Sequence, residues 1–78
     1  MDITLYWIAG DHTTVYYHDV EKAISEIKIL KELLPSNRFV LYKLATVLTP
    51  ELVTRLLNKN FNHCMLQGYG NAEELIIN

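Results

Sequence analysis

The chain has one cysteine, two prolines and three glycines in 78 residues. Each shortage excludes something. With Cys64 alone no disulfide framework can form, and the CxxC pairs and HxxxH spacing of zinc motifs are missing. Three glycines, two of them in "GYG" around Tyr69, cannot build a loop that cradles phosphate. No apolar run approaches the ~20 residues a membrane-spanning helix requires. The opening "MDITLYWIAG" lacks a basic segment and its apolar run stops at Gly10, so it reads as part of the fold, not as a secretory signal. Charge of one sign is also scarce. Seven basic against nine acidic residues leave a net charge of −2. That is too acidic for a phosphate-neutralising surface and too weak for charge mimicry of a nucleic acid.

What the chain does have is apolar side chains, which make up half of its residues. That composition argues for a packed core in one domain, residues 1–78, and against disorder. So short a chain buries only about 60–65% of its unfolded surface. Oligomerisation, a ligand or a partner are the routes left to extra stability. A single thiol and no secretory signal imply a soluble protein of a reducing compartment, the cytoplasm.

The stretch "ITLYWIAGDHTTVYYHD" alternates aromatic and β-branched residues on both sides of "AGDH" and reads as a β-hairpin. Placing Ile3, Leu5 and Trp7 on the buried face with Val15 and Tyr17 requires an odd-length loop such as Gly10-Asp11-His12. "DVEKAISEIKILKELLP" is a helix: Asp19 caps it, Val20, Ala23, Ile24, Ile27, Leu30 and Leu34 form one stripe, and Pro35 ends it. The charges on its other side, with Lys22/Glu26 and Lys28/Glu32 at i,i+4 spacing, form a solvated face. "RFVLYKLATVL" is near-continuously apolar, as in a central strand buried on both faces. "TPEL" opens a second helix, with Thr49 as cap and Pro50 in the first turn, and Asn58 or Asn60 closes it. "FNHCMLQ" reads as a fourth strand and "GYG" as a turn. "NAEELIIN" allows either a short capped helix or an edge strand. The expected fold is α+β: a small antiparallel sheet, made of the hairpin and one or two further strands, with two helices packed on one face.

Three kinds of chemistry are open to these residues. His12, His18, His63 and Cys64 could ligate a metal, but His63 and Cys64 are adjacent and would point to opposite sides of a strand. The same alternation works against a Cys64–His63 nucleophile pair oriented by Glu73 or Glu74. A lone cysteine among Met65 and Leu66 is more simply a small core side chain. Tyr6, Tyr16 and Tyr42 could stack bases, but Lys43, Arg38 and Lys59 are scattered and Asp11 and Asp19 flank the hairpin. No catalytic residue, cofactor or metal site is therefore assigned, and neither nucleic acid nor membrane is an expected partner.

The remaining candidate is the sheet face expected to lie away from the helices, carrying Tyr6, Ile8, Tyr16 and His18, with Tyr42 or Lys43 beside them. Tyrosine-rich, partly apolar surface is what protein interfaces favour. The plainer reading is a set of ordinary cross-strand pairs on a wet sheet face. A non-enzymatic protein-binding module, possible also as a homodimer, is the expected function. A small-ligand or metal-dependent module using His18, His63 and Cys64 is the alternative.

The pattern "ITLYWI…TVYYHDVEKAISEIKIL…NRFVLYKLATV", Ile3 to Val47, resembles the small hairpin–helix–strand accessory proteins of tailed bacteriophages. The resemblance implies a host-takeover or anti-defence role, an inhibitor or modulator that binds a bacterial host protein in the host cytoplasm. It carries over no site residues, and from Thr49 onward the chain departs from it.

Overall fold

The structure, a computed structural model, describes residues 1–10 and 15–77. Its elements in chain order are β1 (Asp2–Ala9), β2 (Tyr16–Tyr17), α1 (Val20–Leu33), β3 (Val40–Val47), α2 (Pro50–Leu57), α3 (His63–Gln67) and β4 (Glu73–Leu75). The strands form one antiparallel sheet in the order β2-β1-β3-β4. The expected α+β class with a small antiparallel sheet is what the chain adopts.

Local chemistry sets the helix ends as the sequence suggests. Asp19 accepts from the Glu21 amide at 2.9 Å and Thr49 Oγ1 from the Leu52 amide at 3.2 Å, each satisfying an amide that the first helical turn leaves without a partner. α1 turns Ala23 and Ile27 into the core, with Ile24 and Leu30 packed beside them. Leu34 falls off the expected stripe, half-exposed at the C-cap.

One of the expected elements differs. "FNHCMLQ" is helical, not a strand, because the Asn62 side chain accepts from the Met65 amide at 2.8 Å and caps a short turn of helix. The tail takes the strand alternative, pairing Leu41 with Leu75 and Tyr42 with Glu74. The turn before it is held by Thr46 Oγ1, which donates to the Tyr69 carbonyl at 2.8 Å. A Cβ on Gly70 would lie 3.0 Å from Leu44 Cδ1 and 3.3 Å from the Ala45 carbonyl oxygen, so this close approach suits glycine.

The hairpin register also differs. Trp7 opposes Tyr16 and Tyr6 opposes Tyr17, so an even number of residues separates the paired positions and Tyr17 shares a face with Tyr6. Val15, expected in the core, is 53% exposed. The proposed loop residues Asp11 and His12 lie outside the described residues.

The largest difference concerns the helices, which pack on both faces of the sheet and not on one. Ile8 and Leu41 pack with Ala23 and Ile27 of α1. On the other face Leu5, Trp7 and Leu44 pack with Leu52 and Leu56 of α2, Phe61, and Leu66 of α3. Because successive strand residues alternate in direction, Trp7 and Ile8 stand back to back in two separate cores. The central strands β1 and β3 are apolar on both sides for that reason.

Candidate functional site

The five residues nominated from the sequence do not share a surface. Tyr6 and Ile8 lie beneath α1, Tyr6 packed against the cluster and Ile8 buried within it. Tyr16 and Tyr42 are on the opposite face, each directly across from Trp7 on a neighbouring strand. His18, exposed beyond the end of β2, meets the Tyr16 ring edge-on with centroids 5.4 Å apart. Tyr16, His18 and Tyr42 therefore belong to the α2/α3 side, while Ile8 is core on the α1 side and Tyr6 is partly buried beside it.

The α2/α3 side holds an aromatic row running across the sheet as Tyr16–Trp7–Tyr42, completed by two residues from the C-terminal third. Trp7 has no exposed surface. Tyr42 stacks on it with centroids 5.7 Å apart and planes 19° from parallel, and His63 lies 4.6 Å from Tyr42. Tyr16 meets Phe61 nearly perpendicularly at 5.6 Å. Such offset and edge-to-face pairs match the quadrupoles of the rings. Tyr16, Tyr42 and His63 are each partly exposed over the buried indole.

One hydrogen bond fixes the chemistry of the row. Trp7 Nε1 donates to His63 Nδ1 at 3.0 Å. An indole nitrogen can only donate, so His63 Nδ1 must be the acceptor and the neutral ring carries its proton on Nε2. His63 then offers one N–H donor to a ligand. It cannot coordinate a metal through Nδ1 while the bond stands, and coordination through Nε2 would require both ring nitrogens to act as lone-pair donors at once. Cys64 is exposed on α3, where consecutive residues diverge by about 100° around the helix. The helix thus separates it from His63, as a strand was expected to do. Among the described residues, no group of three or more His, Cys, Asp and Glu side chains is placed to hold an ion.

A polar clasp holds α2 against the segment that positions His63. Arg55 Nε pairs with Glu51 at 3.3 Å and Arg55 donates a second bond to Met65 Sδ at 3.2 Å, while the Tyr69 hydroxyl donates to Glu51 at 3.1 Å. Desolvation, then the bond to Glu51 and the nearby carboxylate charge, hold the Tyr69 phenol above its ordinary pKa. On the α1 side desolvation, followed by the charge of Glu26, raises Tyr17 in the same way.

Sequence reasoning included Tyr16, His18 and Tyr42 but missed Trp7, Phe61 and His63 as members of one cluster. A signal for α3 was present in Asn62, a good capping residue directly before His63. Nothing local marks the pairing of Trp7 with His63. No family model matches the chain, and neither a curated protein nor a solved structure does.

Proposed function

We propose that the chain is a non-enzymatic protein-binding module whose contact surface is the aromatic row of Tyr16, Tyr42 and His63, with His18 at its end. The observation that carries this reading is three partly exposed aromatic rings held over the fully buried Trp7. Rings fixed by stacking lose little entropy on binding, and their polar tips offer hydrogen bonds at the rim of a contact. The resemblance to bacteriophage accessory proteins makes a bacterial host protein the partner class and the host cytoplasm the setting, both within the same proposal. The alternative, a metal-dependent module using His18, His63 and Cys64, has the committed Nδ1 of His63 against it.

Comparative capture from a bacterial lysate tests the reading. Tyr42→Lys keeps an aliphatic stem over Trp7 while placing a charge in the row. Ile29→Lys changes a half-exposed position on α1. The proposal expects one protein retained by the wild type and by Ile29→Lys and lost with Tyr42→Lys, all three remaining folded by circular dichroism. Retention of the same protein by Tyr42→Lys contradicts it. Stoichiometric metal in the purified chain would favour the alternative.

A further inference from the structure

β1 is eight residues long, whereas the strand on its outer side, β2, has two. β2 pairs only with Tyr6 and Trp7, and the chain then leaves the sheet for α1, capped at Asp19 and helical from Val20. Among the described residues, the outer side of β1 from Asp2 to Leu5 has no neighbouring strand. The direction of its backbone groups follows from the inner pairing. The Leu48 amide donates to the Met1 carbonyl at 2.8 Å, in register with the β1–β3 ladder. Antiparallel pairs alternate between bonded and non-bonded, so the odd residues of β1 bond to β3 and the even ones face outward. Tyr6 faces β2 in this way, and Asp2 and Thr4 present their N–H and C=O groups to the open edge.

Exposed edges are normally guarded by lysine, proline, a bulge or paired charges. β4, the opposite edge, carries Glu73 and Glu74. "DITL" carries a single acid and no other guard, and the exposed Met1 and Val47 sit at the same end of the sheet.

We infer that this edge pairs with the same edge of a second copy, antiparallel about a two-fold axis at Ile3. In that register Asp2 lies opposite Thr4 of the second copy and Thr4 opposite its Asp2. Every outward-facing group then meets an outward-facing group, and no like charges are directly opposed. Placing the axis between two residues would set an even residue against an odd one and lose the bonds. Ile3 would face its own counterpart at a non-bonded position, with Cα atoms about 4.5 Å apart. The interface differs from the Tyr6/Tyr16 face that the sequence suggests for a homodimer. It does not depend on the aromatic row.

Light scattering of the purified chain from about 10 μM to about 1 mM tests this, with cross-linking to fix the register. The wild type should rise from the mass of one chain to that of two. Thr4→Pro removes an outward amide that no partner among the described residues uses, and it should stay at one chain across the range with an unchanged far-UV spectrum. Ile3→Cys combined with Cys64→Ser should form a disulfide-linked dimer on mild oxidation, because Cα atoms at that separation suit the bond. Tyr42→Lys should associate like the wild type, which separates a failure here from a failure of the aromatic row. A wild type that keeps the mass of one chain at about 1 mM overturns the inference. So does a dimer in which Ile3→Cys does not cross-link, and that second criterion decides the matter even if Thr4→Pro fails to fold.

Discussion

Trp7 makes the most consequential single contact in the molecule. Its indole is fully buried, and the one N–H it carries meets an acceptor 56 positions away, at His63. A buried donor without a partner costs about 1–3 kcal/mol, so His63→Ala should lower stability by that amount, measured by urea unfolding. Trp7 is the sole tryptophan, and its emission should shift in the folded variant as water gains access. Tyr17 has a raised pKa, first through desolvation and then through Glu26. Its phenol holds its proton more tightly in the folded chain than in the unfolded one. The resulting stability is complete below the ordinary tyrosine value of about 10 and is lost as pH rises through the folded value. Tyr17→Phe should therefore move the alkaline unfolding midpoint upward, as followed by circular dichroism. Neither effect is visible in the sequence: alternation reveals that Trp7 and Tyr17 face inward somewhere, not what meets them.

Helix ends were the most legible features, because capping is chemistry between near neighbours. Asp19, Thr49 and Pro50 act where the sequence places them. The end of α2 shows a finer case. The Asn60 amide bonds the Arg55 carbonyl at 2.8 Å and the Lys59 amide the Leu56 carbonyl at 3.2 Å, the double closure typical of a left-handed helix stop. Lys59 supplies that turn with φ of 55°, where glycine is the usual residue. Removing the Cβ relieves about 1–2 kcal/mol of local strain, offset by about 0.5–1 kcal/mol of added unfolded-state entropy. Lys59→Gly should thus stabilise the protein by about 0.5–1 kcal/mol, read as a higher urea midpoint with an unchanged slope. α3 was less legible because "FNHCMLQ" has the length and apolar content of a strand, and only Asn62 signals otherwise. The hairpin register was ambiguous for a related reason. Both sides of β1 are apolar, so hydrophobic alternation cannot say whether Tyr16 or Tyr17 belongs beside Trp7.

The arrangement of layers follows from the same two-sided sheet. Reading Tyr6 and Ile8 as an open face assumed that so short a chain lacks the helices to cover both sides. α1 covers the Ile8/Leu41 part of one and leaves Ala45 and Val47 exposed there, while α2 and α3 pack on the other. On the other face the row of Tyr16, Tyr42 and His63 closes over Trp7, each of the three rings partly exposed. A photoreactive phenylalanine analogue placed at Tyr42, and separately at Ile29, tests directly whether that row is where a partner sits. After irradiation in bacterial lysate, the Tyr42 position should form a covalent adduct with the protein that the wild type captures, and the Ile29 position should not. An adduct from Ile29 with none from Tyr42 would place the contact on α1 and contradict this reading of the molecule.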